Sequence, residues 1–439
     1  MDTLNNWLPA NDPQRTLLHN EVHARPPARI HLPALVTYVA VFHEGITRED
    51  ECAHLRQLPG HEALASDALQ NNFLRLRCPG YTLKWERHTE FSRYTLVQNL
   101  PEGCGLGASE PDLLTDLACP PGWLARIPGH TFAAIQLAMV DASIDEPAEK
   151  LHLARRWLGN ELVLASYMGN NAHSIAVTDF QLRPCGFERM LVIAPADTSQ
   201  TRAGRIAMRL VEFETYRLMA LRALPVVKEL APVLADAERQ LADITAQLEN
   251  KSVSDQALLD TLVSLAGSVE RATAENTYRF SATRAYDTLV AQRIGELREQ
   301  PIMGTQTLGE FMRRRLLPAT ATVTSTAQRL ASLAERVART SALLRTRVDI
   351  ATEQQNQELL AKLTRGQDMQ LRLQSTVEGL SIAAISYYVV SLLLYVGKAG
   401  KAAGLPINPE MAAGASIPLV LLVVWRMIKK IHEKLHADH

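Results

Sequence analysis

Two hydrophobic rhythms divide the chain. Over residues 35–193, β-branched and aromatic residues gather in short runs: LVTYVAVF from Leu35, FLRLRC from Phe73, YTLKWERHTEFSRYTLV from Tyr81, HTFAAIQLAMV from His130 and NAHSIAVTDFQL from Asn171. Runs of this length and composition predict strands, and Pro/Gly breaks such as NLPEGCGLG and CPPGW separate them. ITREDECAHLRQL and EPAEKLHLARRWLG, which lie between strand runs, keep a helical period. The pattern therefore predicts an α+β domain over residues 1–203.

After PADTSQTRAG the strand-like runs stop, and Leu, Ala, Glu, Gln and Arg dominate. Met208, Val211, Tyr216 and Met219 fit the helical period, and Pro225 and Pro232 are expected to kink or divide this first helix. A second helix is predicted from about Asp255 to Leu297, ended by GELREQPIMG. Residues 319–365 contain neither glycine nor proline, and Leu330, Leu333, Val337, Leu344, Val348 and Ala351 recur at helical spacings. Such a helix would extend roughly 70 Å at about 1.5 Å per residue. It should pack on other helices, either in a bundle within the chain or in a coiled coil between chains, although Thr340, Arg347 and Gln355 interrupt the heptads. Residues 204–376 thus read as a long-helix bundle or stalk.

The last pattern is oily. Residues 379–397 (GLSIAAISYYVVSLLLYVG) carry no charge, and ~20 such residues cross ~30 Å of hydrocarbon as a helix. A second run, residues 411–428, reaches similar length if Arg426 snorkels. Tyr387, Tyr388, Trp425, Arg426, Lys429 and Lys430 are the expected membrane anchors. Lys362, Arg365 and Arg372 precede the first run, while Arg426, Lys429, Lys430 and Lys434 follow the second; the connecting loop has only Lys398 and Lys401. The positive-inside rule then places both termini in the cytoplasm, with residues 377–430 as a two-helix transmembrane hairpin and 431–439 as a basic cytoplasmic tail. Ser381, Ser386, Ser391, Gly397, Gly414 and Ser416 allow close helix packing, and no ionisable group lies within the core of either span to serve a proton relay.

Composition fits that placement. The chain has 439 residues, with 46 Lys+Arg against 47 Asp+Glu, so no global charge draws it to nucleic acid. Cys52, Cys78, Cys104, Cys119 and Cys185 form no CxxC pair and read as free thiols in a reducing compartment. The N-terminal MDTLNNWLPANDPQ lacks the features of a secretory signal. A bacterial inner-membrane protein with a cytoplasmic soluble part is the expectation.

Two polar motifs are candidate sites. HNEVHARPP sets His19, Glu21 and His23 at alternate positions with Arg25 beyond, and either a strand or a helix could present the imidazoles to a metal such as zinc. It is not HExxH, so metalloprotease chemistry is not indicated. In KWERHTEF, Lys84, Glu86, His88 and Glu90 alternate with Trp85, Arg87, Thr89 and Phe91. On a strand the first set makes either a solvated face with cross-strand ion pairs or a polar ladder for a cation or acid–base work. Glu214 with Arg217 reads as a structural i,i+3 ion pair. Phosphate-loop, dinucleotide and GxSxG patterns are absent, so no cofactor is identified, and a divalent metal is a candidate ligand for these donors.

HNEVHARPP, KWERHTEF, FETYRLMALRALP and STVEGLSIAAISYYVVSLL resemble the signature segments of an uncharacterised bacterial family of membrane-anchored proteins, domain of unknown function 3422. The resemblance extends from His19 to about Lys430 and implies anchoring without implying an activity. In layout alone the chain is similar to CorA-type magnesium channels, but Tyr395-Val396-Gly397-Lys398-Ala399 stands where those carry Gly-Met-Asn. The leading expectation is a membrane-anchored, non-enzymatic homo-oligomer that acts as a scaffold or binds a cytoplasmic protein partner or small ligand. The alternatives are a CorA-like divalent-cation channel or transporter and a metal-dependent hydrolase built from His19, His23, Glu86 and His88.

Overall fold

In the computed structural model, which describes residues 12–15, 18, 29–250, 254–403 and 408–437, the strand-like runs form a single sheet. β1 (Ala34–Phe42), β2 (Phe73–Cys78), β5 (His130–Asp141) and β7 (Ser174–Thr178) lie where the pattern predicts them. The long run from Tyr81 folds back as an antiparallel hairpin, β3 (Tyr81–Arg87) and β4 (Phe91–Asn99). With β6 (Leu164–Met168), β8 (Glu188–Ala194) and the two-residue β9 (Gln300–Pro301), the order among the described residues is β2-β3-β4-β1-β5-β8-β7-β6-β9. β5 and β8 run parallel, and the other neighbours are antiparallel.

The sheet is covered on both faces, which is why β1 reads as an unbroken apolar run rather than an alternation. Val36, Tyr38 and Ala40 face α3 (Gln200–Leu221), meeting a core that includes Ala207, Val211 and Phe213. Leu35 packs on the opposite side against Leu151, Ala154 and Trp157 of α2 (Pro147–Leu158). Val39 and Val41 meet Trp85, Trp123 and α1 (Arg48–Leu55) on that same side. Two of the indoles on that side have their polar edges satisfied: Trp123 Nε1 donates to the His54 carbonyl at 3.2 Å and Trp157 Nε1 to the Cys104 carbonyl at 3.1 Å. His54 stacks on Trp123 at 4.3 Å, and burial lowers its pKa to about 4, so the ring stays neutral.

Local signals fix the helix ends. Thr47 and Asp50 form a reciprocal capping box at the start of α1. Pro147 opens α2, and Gly159, at φ 65°, closes it. α3 stops at Leu221, and α4 (Ala223–Asn250) carries Pro225 near its start and Pro232 inside. α5 (Asp255–Leu297) has the predicted bounds. α6 (Leu308–Ala402) is longer than its glycine-free and proline-free stretch, running 95 residues without interruption into the first apolar segment. Its first turns belong to the sheet domain, since Leu308, Met312 and Leu316 join the α3 side of the core. α7 (Pro409–Ala437) holds the second apolar run.

The protein is thus a mixed α/β sheet domain, followed by a long helix and a second apolar helix. Two compact units divide it: Met1–Asn250 with Thr261–Arg339, and Lys251–Asp260 with Thr340–His439. α6 and α7 each contain a window long and apolar enough to cross a membrane, and little of either window is buried. The described cysteines are all free.

Gly129, just before β5, has φ 117°, and a Cβ there would collide with the Phe42 carbonyl oxygen. Gly129→Ala is expected to destabilise the sheet domain by about 1–3 kcal/mol, through an unfavourable φ and a displaced backbone group. Urea unfolding of the purified chain measures it as a lower midpoint.

Candidate functional site

Of the two polar motifs, one is placed. His19, Glu21, His23 and Arg25 lie outside the described residues. Lys84 and Glu86 sit on β3, whereas His88 and Glu90 belong to the turn that joins β3 to β4. The four side chains therefore do not form one ladder. Nor is the face solvated: Lys84 is 5% exposed and Glu86 0%. The reason is tertiary, because α3 lies over this part of the sheet and brings Glu212 against Arg93.

What results is a chain of alternating charge. Glu86 accepts from Arg93 through both oxygens, at 2.6 and 2.9 Å, and pairs with Lys84 at 2.9 Å. Arg93 reaches Glu212 of α3 at 3.0 Å, and Glu212 also binds Arg293 of α5 at 2.7 Å. Arg293 continues to Glu296 at 3.0 Å, which Arg209 of α3 contacts at 3.2 Å. Bidentate and charge-assisted bonds of this kind are what allow ions to be buried at all. Burial acts to raise the Glu86 pKa, but Arg93 and Lys84 outweigh it and hold the carboxyl at about 2. Burial, aided by Arg93, lowers the Lys84 amine to about 8, despite the favourable Glu86.

This network lines a cavity of about 310 Å³ whose wall also includes His88, Arg205 and Tyr216. The His88 ring stacks on Phe91 at 4.7 Å. Glu90 faces elsewhere, pairing with Arg279 and accepting from the Tyr286 hydroxyl at 3.2 Å, so it ties the β3–β4 turn to α5. Among the described residues, no three His, Cys, Asp or Glu side chains come together in a way that could hold a metal ion. Glu86, His88 and Glu90 are spent on ion pairs, stacking and a helix contact. A cavity with more cations than carboxylates favours holding an anion over binding a metal.

A second buried cluster was legible only in part. The Glu214–Arg217 pair forms as the spacing predicts, with Arg217 Nε donating to Glu214 at 2.8 and 3.0 Å. Glu188 of β8 joins it, with Arg217 at 3.6 Å. Burial first, and the adjoining Glu214 carboxylate second, push Glu188 up to about 9, so this acid is neutral at physiological pH.

The fold and the charged cavity define a mixed α/β domain with two appended apolar helices. The chain belongs to the family described as Protein of unknown function (DUF3422), which matches residues 10–435. No curated protein and no solved structure matches it. The likeness of layout to CorA-type channels finds no support in these comparisons.

Removing the Glu86 charge strands Lys84 and Arg93 in a buried setting. Glu86→Gln is expected to cost about 3–5 kcal/mol, and equilibrium unfolding reads it directly. The two acids also give opposite pH signatures. Folded Glu86 ionises at about 2 against an ordinary 4.5, so its contribution is full above 4.5 and fades as pH falls towards 2. Folded Glu188 ionises at about 9, so its contribution is full below 4.5 and is lost as pH rises through about 9. Glu188→Gln, which fixes the neutral form, should raise Tm at pH 9 by several degrees relative to the parent and leave the acid limb unchanged; Tm against pH checks this.

Proposed function

We propose that the chain is a non-enzymatic binding module tethered to the bacterial inner membrane, with both termini in the cytoplasm, and that it works as a homo-oligomer. The observation that carries this reading is the state of α6. Every residue from 349 to 377 is exposed, including Ile350, Leu359, Leu363, Met369 and Leu373, and the helix then enters the apolar segment. In proteins most of a helix's stability comes from packing of its apolar face rather than from its own hydrogen bonds. Apolar side chains on such a helix find that packing in a second copy, as coiled-coil stalks do.

The apolar helices support both the tether and the self-association. Leu380, Leu392, Val396, Leu419 and Leu422 are exposed, an arrangement that favours lipid over water. Trp425 lies beside the basic end of α7, with the Lys429 ammonium 5.4 Å from its ring, as suits an interfacial anchor next to Arg426 and Lys430. Tyr387 and Tyr388, expected among the anchors, fall near the middle of residues 379–397, which suits a helix–helix contact better than an interfacial belt. Their hydroxyls have no hydrogen-bond partner among the described residues, and hydrocarbon supplies none, whereas another subunit can. The soluble domain contributes binding, because its charged cavity has a ligand-sized volume but no nucleophile–base pair.

Topology and assembly are separately measurable. In cells with a permeabilised outer membrane, a membrane-impermeant maleimide should label Ala402→Cys but leave the exposed Cys185 unlabelled until lysis. Labelling of Cys185 in intact cells would overturn the orientation. Light scattering in detergent should give a particle of two or more chains, and a strictly monomeric particle would remove the oligomer.

A further inference from the structure

A second opening adjoins the charged cavity and differs from it in its balance of charge. The turn between β6 and β7, the first turns of α3 and the end of α5 enclose a cleft of about 470 Å³. Arg202, Arg205 and Arg209 line it at i, i+3 and i+7, which puts them on one face of α3. Arg298 lines it from just beyond α5, with a backbone φ of 49°, a left-handed conformation that long side chains rarely adopt. The turn opposite is held in place: Gly169 N donates to the Leu297 carbonyl at 2.9 Å, and Gln300 Nε2 donates to the Asn170 carbonyl at 2.7 Å.

Four guanidinium groups thus meet a single carboxylate, Glu296, which Arg209 and Arg293 already engage. Arg202 has one side-chain partner among the described residues, the Asn171 amide oxygen at 3.4 Å. Arg205 and Arg298 are exposed and have none among the described residues. Gathering like charges around a concave surface is unfavourable unless an anion occupies it. Guanidinium forks match phosphate oxygens in geometry, and the positive end of α3, a 22-residue helix, points the same way electrostatically. The volume lies in the range of small-molecule sites, larger than a lone halide or carboxylate needs.

We propose that this cleft binds a multiply charged phosphate ligand, with Arg202, Arg205 and Arg298 as its direct contacts and Arg209 held in position by Glu296. The phosphate belongs either to a soluble phosphorylated metabolite or to a lipid headgroup, and the same donors recognise both. This goes beyond the tethered-module reading: a chain that proved monomeric would keep the site.

The test uses the full chain in a non-ionic detergent, titrated calorimetrically with inorganic pyrophosphate and, separately, with dioctanoyl phosphatidate. Saturable binding of either probe is expected. Arg205→Glu and Arg298→Glu should each weaken it about tenfold or more, the loss of a charge-assisted contact. Arg314→Glu, an equal charge change at an exposed position outside the cleft, should leave it within about twofold, as expected for a rim charge outside the contact. Binding of pyrophosphate assigns a soluble ligand, and binding of phosphatidate alone assigns a headgroup. Thermal melts of each variant check folding, and Arg205→Gln with Arg298→Gln replaces any reversal that fails to fold. No heat with either probe, or equal weakening by Arg314→Glu, overturns the proposal.

Discussion

A carboxylate without exposed surface needs cations to hold it, and Glu86 sets that requirement within the sheet domain. Arg93 meets it from β4 and Lys84 from β3, which fixes the hairpin; Arg93 then draws in Glu212 from α3, which in turn binds Arg293 from α5. Strands and helices far apart in sequence are thereby locked in one register by ion pairs that each leave the next partly unneutralised. Burial of apolar surface supplies the driving force, but it is not directional. The charge chain is what dictates how α3 sits on the sheet.

α3 carries the consequences on both its sides. One side, with Ala203, Ala207, Val211 and Phe213, fills the core beneath β1. The other presents Arg202, Arg205, Arg209 and Glu212 to two adjoining openings. Because the apolar side is fully engaged, the backbone that carries the basic side is already fixed, and a ligand has only the arginine side chains left to order. The shift in composition after residue 203 marks where strands give way to helices, yet α3 belongs to the same core as the strands.

Much of the fold was legible because it follows from local rhythm. The runs at β1, β2, β5 and β7 and the bounds of α5 are written in the spacing of apolar residues. The KWERHTEF segment was harder. Its alternation is real over Lys84 and Glu86, but a solvated face and a buried ion network look alike until the covering helix is known, and that helix is supplied by residues far downstream. The turn at His88 to Glu90 was concealed because aromatic residues continue on both sides of it. The arginine cleft left a partial trace in the i, i+3, i+7 spacing of Arg202, Arg205 and Arg209. Arg298 completes it from just beyond the end of α5, which no local pattern can reveal.

The uninterrupted course of α6 also bears on how the chain is made. The sheet domain is not closed until Leu308, Met312 and Leu316 have joined its core, and the oily segments come many helical turns later. During synthesis, which delivers the N-terminal part first, the domain can finish folding before either apolar segment leaves the ribosome. Unpaired strands and the apolar segments then need not be present together on the nascent polypeptide, a separation in time that guards against aggregation.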